Sequence, residues 1–251
     1  MNSYINIEAR SARTKLYRVF SYERLVQLFE SRTNVLVRPK LWDDPLENYV
    51  LDAAHRMLAA KKGSNSKMAE TILNVKEHLY GQCWSATSES DAMWRIYSAN
   101  KAGVRVKTSI SKLFKSVTSS TEVKDLDCFI GKVKYEKEHK LFSKLSNPNW
   151  LMGEIGDSRQ QAASLFFKRN AFVHENEYRL VVLNVNTSDQ NLFSYSIDPH
   201  TLIEEVVLDP RMSRELVSVF TEHLKKKLKF KGRVEQSTLY RVPNLESWRA
   251  A

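Results

Sequence analysis

The sequence predicts an α+β protein in which a mixed β-sheet is flanked by helices. Helical spacing of apolar residues dominates the first half of the 251 residues, whereas strand-like apolar runs gather in the second half. No internal repeat, low-complexity tract or long linker divides the chain. Because 42% of the residues are apolar, we expect residues 1–251 to form a single domain with a substantial core.

The first half is predicted to alternate short strands with longer helices. Strand 16–20 alternates apolar and polar residues, and Leu25, Leu28 and Phe29 follow it at helical spacing. Pro39 stops a second strand, and Gly103 ends a later helix. The predicted elements are strand 16–20, helix 22–32, strand 35–39, helix 48–62, a helix to about residue 79, strand 82–86, helix 91–101, strand 104–108 and helix 109–117.

The second half is predicted to supply most of the strands. In the stretch HENEYRLVVL at 174–183, Leu180 to Leu183 run without a polar residue, which favours a central strand covered on both faces. Leu180 and Val182 should face one side, and Val181 and Leu183 the other. The other predicted elements are strand 128–138, a helix ending at 164–170, strands 192–198, 203–210 and 233–242, and one long helix at 213–229.

The chain carries 39 basic and 29 acidic residues, a formal net charge of +10, which favours polyanionic partners. Part of the excess forms a candidate nucleic-acid patch, although such a run is often a solvated helix face. The two cysteines lie far apart, no leader opens the chain, and no apolar run approaches about 20 residues, so we expect a cytoplasmic protein without membrane contact. The patch consists of Lys225, Lys226, Lys227, Lys229, Lys231 and Arg233.

Common catalytic signatures are missing from the sequence. It contains no phosphate-binding G-x-x-x-x-G-K-[ST] loop, no dinucleotide-binding G-x-G-x-x-G turn and no G-x-S-x-G nucleophile motif. The six histidines and two cysteines show no metal-ligand spacing, so no metal site is predicted. Candidate site residues must therefore come from less common patterns.

Three polar clusters stand where predicted strands meet turns, which is where sites are usually assembled. Their order resembles the Arg, Ser-Thr-Ser and Glu-x-Glu arrangement of mono-ADP-ribosyltransferases, although the middle element here is Ser-Ala-Thr-Ser. The clusters are Tyr17 and Arg18, Ser85 to Ser88, and Glu175 to Glu177.

This resemblance implies an ADP-ribosyltransferase-like split mixed β-sheet that clamps NAD as a substrate. It implies that Arg18, with Tyr17 beside it, binds the NAD phosphates, and that Ser85 with Thr87 forms the middle element. Glu177 would be the catalytic carboxylate, and Glu175 its substrate-facing partner. A guanidinium suits a diphosphate, and a fixed carboxylate stabilises positive charge that develops at the anomeric carbon.

Longer stretches of the chain resemble the bacterial family called domain of unknown function 2971. Some members of that family look like effectors in toxin or phage-defence contexts. The order of motifs that resembles mono-ADP-ribosyltransferases, the absence of other nucleotide-binding signatures and the basic C-terminal segment together favour an enzyme that modifies a macromolecule, either nucleic acid or a nucleic-acid-associated protein, with a neutralising antitoxin as a possible partner. The family resemblance rests on LYR at 16–18, LWDDPLEN at 41–48, CWSATSESDAMWRIYSANKAGVRV at 83–106, KVKYE at 132–136 and HENEYRLVV at 174–182.

Two other functions fit the sequence. One is a non-enzymatic module of a defence or toxin–antitoxin locus, which binds nucleic acid or a partner protein through the basic patch. The other is a nucleic-acid hydrolase in which Asp44, Glu47, Glu175 or Glu177 surround a divalent ion.

Individual candidates also have structural explanations. Arg18 can pair with Asp44 or Glu47. Trp94 and Tyr97 share a predicted helix face, so they either wall a nicotinamide pocket or pack the core. Arg179 shares a strand face with Glu177 and can neutralise it.

Overall fold

A computed structural model of the chain describes residues 2–44, 49–60, 70, 72, 75–147, 157–184 and 190–242. In this part of the chain a large mixed sheet is flanked by helices, which confirms the predicted α+β fold class. The strands are β1 (Asn2–Ile5), β2 (Lys15–Ser21), β3 (Thr33–Val37), β4 (Leu79–Ser85), β5 (Gly103–Ser109), β6 (Asp127–Lys132), β7 (Lys134–Glu136), β8 (Phe167–Arg169), β9 (Glu177–Leu183), β10 (Leu192–Ser196), β11 (Glu205–Leu208) and β12 (Arg233–Gln236).

The described helices begin at residues suited to capping. Ser21, Ser90, Ser109 and Ser213 each accept a backbone N–H of the first turn at the N-cap position. The α-helices are α1 (Tyr22–Ser31), α2 (Tyr49–Ala59), α3 (Asp91–Tyr97), α4 (Ile110–Thr118), α5 (Glu138–Leu145), α6 (Ser158–Ala163), α7 (Pro199–Leu202) and α8 (Arg214–Glu222), which continues as a π-helical turn, His223–Lys227.

Strand β9 lies inside the sheet, between β4 and β6, in the order β1-β6-β9-β4-β2-β5-β11-β12. Leu180 and Val182 pack in the core that includes residues of α1 and α4, and Val181 and Leu183 pack in the core that includes residues of α2, α5 and α6. The predicted two-sided burial is therefore confirmed. Such a strand is a rigid support for the side chains at its first residues.

The sheet forks along one edge of β4. Ser85 of β4 is opposite Tyr17 of β2, whereas Gly81 of β4 is opposite Val37 of β3. Strand β4 is thus shared by two strands that diverge, and β10 pairs with β3 on the outer side of the fork. The other edge of β4 pairs with β9 over its whole length. The fork leaves a gap beside residues 82–84.

Several sequence expectations differ from the structure. Strands β1 to β5 lie within residues 2–109, so the first half is not mainly helical. Predicted strand 128–138 is two strands, because β6 ends opposite Tyr178, near the beginning of β9, and β7 pairs with β8 instead. Residues 164–170 were expected to be helical, but they form a 3₁₀ turn followed by β8. Residues 61–69 of the predicted helices lie outside the described residues.

We predict that Gly131→Ala destabilises the fold. A Cβ atom at Gly131 would lie 2.2 Å from the backbone oxygen of Ile5, because β1 runs parallel to β6 at this point. The free energy of unfolding in urea should fall by about 2 kcal/mol or more, since backbone cannot move aside as a flexible side chain can. Ser194→Ala, on an exposed position of β10, is the control; an equally small loss for both variants would contradict this packing.

Candidate active site

A cleft of about 570 Å³ lies at the fork of the sheet. Consecutive residues of β2 (17–21) and of β4 (81–85) line it. Successive residues of a strand point to opposite faces, so a cleft on one face would be lined by alternate residues. The fork therefore lets side chains from both faces of the sheet meet in one cavity.

One end of the cleft carries two arginines without a carboxylate partner in the described part of the chain. Arg18 is half-buried in β2, and Arg24 lies in the first turn of α1. Burial lowers the pKa of the Arg18 guanidinium. Arginine side chains nevertheless remain charged in proteins. The N-terminus of α1 also contributes partial positive charge, because Ser21 and Arg24 both line the cleft. This end of the cleft suits an anion.

The alternative partner suggested for Arg18 is bound elsewhere. The Asp44 carboxylate lies 2.9 Å from the Arg169 guanidinium. Glu47 lies outside the described residues. The expected structural pair of Arg18 with Asp44 is therefore wrong.

The other end of the cleft holds Glu175 and Glu177, both buried. Arg179 binds both oxygens of the Glu177 carboxylate, through Nε at 2.7 Å and Nη2 at 3.0 Å. The buried Lys168 ammonium lies 2.5 Å from Glu175 and 3.3 Å from Glu177. Arg179 itself donates to the Leu165 carbonyl and lies over the Trp42 ring. Two cations thus compensate two carboxylates that would otherwise repel one another.

Glu175 and Glu177 belong to different elements of secondary structure. Glu175 ends a 3₁₀ turn, Glu177 begins β9, and Asn176 between them has a left-handed backbone with φ of 44°. Asparagine tolerates that conformation better than most residues. The expected neutralisation of Glu177 by Arg179 is confirmed. Lys168 was not found from the sequence; its one signal is a basic residue directly after the short apolar run Leu165–Phe167.

The Glu177 carboxylate is ionised at neutral pH. Burial raises the pKa of a carboxyl, but here Arg179 and Lys168, together with a hydrogen bond from Cys83, outweigh burial and hold the pKa of Glu177 at about 2. A group with so low a pKa is a poor proton donor or acceptor near pH 7. It is suited instead to stabilise positive charge.

Ser85 and its neighbours hold the glutamate turn in place. The buried Ser85 hydroxyl donates to the Glu175 carbonyl at 2.6 Å and accepts the Thr87 backbone N–H at 3.0 Å. The Ala86 N–H donates to the Asn176 carbonyl at 3.0 Å. Ser85 lines the cleft, whereas Thr87 lines a small neighbouring cavity. The middle motif therefore positions the glutamates through their backbone, and Thr87 is not placed in the cleft.

The aromatic candidates separate into cleft and core. Tyr17 and Tyr97 line the cleft, and Tyr97 remains 44% exposed at its rim. Partial burial raises the pKa of Tyr97, so its hydroxyl stays protonated. Trp94 is 1% exposed, packs against Val19 and Val207, and donates from its indole to Glu89. The expectation that Trp94 walls a nicotinamide pocket is therefore wrong, because its helix face is turned into the core.

The basic patch does not form one uniform surface. Lys225 donates to the Gly232 carbonyl, Lys226 pairs with Glu222, and Arg233 pairs with Glu235. Lys227 and Lys229 instead line a separate concavity, and Lys231 is exposed. The six residues therefore have different surroundings.

The described residues lack two further features, a cluster of metal ligands and a membrane-spanning helix. They include no group of three or more His, Cys, Asp and Glu side chains placed to hold a metal ion. None of their helices combines the length and apolar character needed to span a membrane.

Comparison with known proteins supports the family resemblance. Residues 93–180 match the model of the family described as Protein of unknown function (DUF2971). The matched range of DUF2971 includes Lys168, Glu175 and Glu177 but neither Arg18 nor Ser85. It thus covers the carboxylate end of the cleft and not its arginine end. No curated protein matches the chain significantly.

Solved structures of DarT from Thermus sp. 2.9 are similar to the chain at 10% identity. The complex with ADP-ribosylated ssDNA has a TM-score of 0.38, covering 90% of this chain and 94% of that chain. The complex with carba-NAD+ has a TM-score of 0.37, covering 90% and 96%, and the complex with NAD+ has 0.39, covering 93% and 98%. At TM-scores this low, the likeness carries no functional argument, and function must be argued from the cleft.

We predict that Glu177→Gln destabilises the protein in a pH-dependent way. Loss of the charge leaves Arg179 and Lys168 incompletely compensated, which should cost about 3 kcal/mol of unfolding free energy at neutral pH. The folded pKa of about 2 lies below the ordinary 4.5, so the stabilisation is complete above pH about 4.5 and is lost as the pH falls towards 2. Urea unfolding of both proteins should show the difference shrinking over that range; a constant difference would contradict the charge account.

We predict that Arg18→Met, unlike Glu177→Gln, does not destabilise the protein. Arg18 is desolvated without a carboxylate partner in the described residues, so its removal strands no buried charge. The melting temperature should stay the same or rise, whereas Arg179→Met, which strands Glu177, should lower it. A large loss of stability in Arg18→Met would show that Arg18 is a structural residue.

Proposed function

We propose that the cleft binds NAD and that the protein is an ADP-ribosyltransferase-like enzyme, which transfers ADP-ribose from NAD to a macromolecule. The observation that carries this proposal is the cleft itself, in which ionised Glu177 and Arg18, which has no carboxylate partner among the described residues, line one cavity at the fork of the sheet. Its volume of about 570 Å³ lies in the usual range for sites that bind small molecules.

The arginine end suits the diphosphate of NAD. Arg18 and Arg24 offer planar guanidinium groups that bind phosphate oxygens with paired, charge-assisted hydrogen bonds. The first turn of α1 adds backbone N–H groups and the positive end of the helix dipole. Neither arginine forms an ion pair with a carboxylate among the described residues. An incoming phosphate therefore need not displace a carboxylate to bind them.

The carboxylate end suits the nicotinamide-side ribose. In the proposed reaction, the bond between the nicotinamide nitrogen and ribose C1′ breaks, and nicotinamide leaves with the bonding electrons. The ribose then carries oxocarbenium-like positive charge, which ionised Glu177 stabilises from a fixed position. A nucleophile of the macromolecule adds to C1′ and releases its proton to solvent. Glu175 lies beside Glu177, joined to it through Lys168, and in this proposal it is the substrate-facing partner of Glu177.

Lys168 and Ser85 act as positioning residues in this proposal. Lys168 bridges the two carboxylates, and Ser85 fixes the turn that carries them. Tyr17 and Tyr97 supply apolar walls for the bound nucleotide. In this proposal the protein is an effector of a bacterial toxin or phage-defence system, and the acceptor is a macromolecule such as a nucleic acid.

The test measures NAD binding and transfer in matched variants. The protein is incubated with NAD labelled in its adenylate phosphate and with cell extract, and label is followed in protein and nucleic-acid fractions. Arg18→Ala should weaken NAD binding at least tenfold by calorimetry, and Glu177→Gln should abolish transfer while its folded fraction, checked by circular dichroism, still binds NAD.

Arg13→Ala and Glu138→Gln make the same chemical changes at exposed positions outside the cleft and serve as controls. Full NAD binding and transfer by Arg18→Ala, or transfer unaffected in Glu177→Gln, would refute the proposal. Absence of NAD binding to the unaltered protein would refute it as well.

The metal-dependent hydrolase receives no support from the arrangement of its candidate ligands. Asp44 is paired with Arg169, and Glu175 and Glu177 are bound by Lys168 and Arg179. Carboxylates already neutralised by cations are poor ligands for a divalent ion, which would have to displace a lysine and an arginine.

A further inference from the structure

We propose a second anion-binding site, which holds the phosphate backbone of a nucleic acid at the end of α1 opposite the cleft. The site, called here the basic pocket, is a concavity of about 480 Å³. The N-terminus of α1 faces the cleft, and its C-terminal residues line the basic pocket. The lining residues are Phe29, Glu30, Arg32, His200, His223, Lys227, Leu228 and Lys229.

The basic pocket gathers cations from separate parts of the chain. Arg32 follows α1, and Lys227 and Lys229 come from the π-helical turn and the segment after it. All three are exposed and form no ion pair among the described residues, but the Asp198 carboxylate lies near enough to Arg32 for the two charges to attract each other. Glu30 is the one acidic residue of the lining. The pocket therefore presents an excess of permanent positive charge.

The two histidine rings are held by aromatic neighbours. The His223 Nδ1 atom lies 2.8 Å from the Tyr22 hydroxyl, and the His200 ring meets the Phe29 ring edge-on at 5.3 Å. These contacts orient both imidazole rings at the pocket. The site is thus built partly from ordered side chains and not from flexible lysines alone.

The backbone provides an independent indication. Arg32 and Lys229 have left-handed conformations, with φ of 52° and 53°, at the ends of helical segments. Glycine is the usual residue there, because a side chain strains that conformation. Strained non-glycine residues often mark functional sites. At both positions of this pocket a basic side chain stands where a sequence selected for stability alone would favour glycine.

A nucleic-acid backbone fits this chemistry better than a membrane or a single small anion. Membrane surfaces are bound with exposed apolar residues beside the charges, whereas Phe29 is buried and Leu228 is half-buried. The volume and the three permanent charges suit several successive phosphates. Helix α1 spans ten residues, about 15 Å, so a strand held here would pass near the cleft. The idea that this strand is the acceptor of ADP-ribose rests on the proposed function. The proposal that the basic pocket binds nucleic acid does not depend on it.

The left-handed residues allow a clean test. Arg32→Gly and Lys229→Gly remove charge while relieving the backbone, so melting temperature should be unchanged or higher. Lys101→Gly is the matched control, since Lys101 is exposed, has φ of 60° and lies outside the basic pocket. Lys227→Gln removes a third charge within a helical turn, without a change of backbone.

Binding is measured by fluorescence anisotropy with a labelled 20-nucleotide single strand over a range of salt concentrations. The double variant Arg32→Gly/Lys229→Gly should bind roughly tenfold more weakly, and the magnitude of the slope of log K against log salt should fall by about 1.4. Lys227→Gln should reduce that magnitude by about 0.7, and Lys101→Gly should match the unaltered protein. Unchanged binding in the double variant, or equal loss in Lys101→Gly, would overturn the proposal.

Competitors and the cleft variant separate the remaining outcomes. Polyglutamate of equal charge and vesicles containing phosphatidylserine should compete more weakly than an unlabelled strand; stronger competition by either would overturn the assignment to nucleic acid. Arg18→Ala should still bind the strand, and the double variant should still bind NAD. Failure of NAD binding alone would therefore count against the proposed function, and failure of strand binding alone against the basic pocket.

Discussion

The candidate site depends on the buried ion pair between Glu177 and Arg179 at the beginning of β9. The pair is bidentate, Lys168 extends it to Glu175, and Arg179 is fixed in turn by Leu165 and Trp42. Buried charges are costly unless they are paired and hydrogen-bonded, so this cluster constrains every segment that contributes to it. It ties the 3₁₀ turn, β8 and β9 together and keeps the Glu177 carboxylate ionised. The carboxylate end of the cleft is the consequence.

The two ends of the cleft follow opposite electrostatic rules. At the carboxylate end each charge has a partner, and stability and site geometry depend on the same contacts. At the arginine end, Arg18 is desolvated without a carboxylate among the described residues, and its guanidinium lies over the Phe20 ring. Functional sites often retain groups that lower stability, because the ligand supplies the missing partner. The fork in the sheet brings both ends into one cavity.

The parts of the fold and site that the sequence predicted are those with strong local patterns. The apolar run Leu180–Leu183 predicted a buried central strand, and the order of motifs predicted that Arg18, Ser85 and Glu177 share a cleft. Other features depend on tertiary packing. The left-handed backbone at Asn176 ends the 3₁₀ turn, so Glu175 lies outside β9. Trp94 packs in the core beside Val19 and not in the cleft. Lys168 was missed because its contacts with Glu175 and Glu177 form only when the 3₁₀ turn has packed beside β9 in the folded protein.

The most direct test of the account is a crystal structure of the protein with NAD or a non-hydrolysable analogue. The account predicts the diphosphate against Arg18 and Arg24 at the first turn of α1, with the nicotinamide-side ribose beside Glu177. Arg179 and Lys168 should retain their contacts with the carboxylates. A ligand bound outside the fork, or one with its diphosphate far from Arg18, would contradict the assignment of the two ends of the cleft.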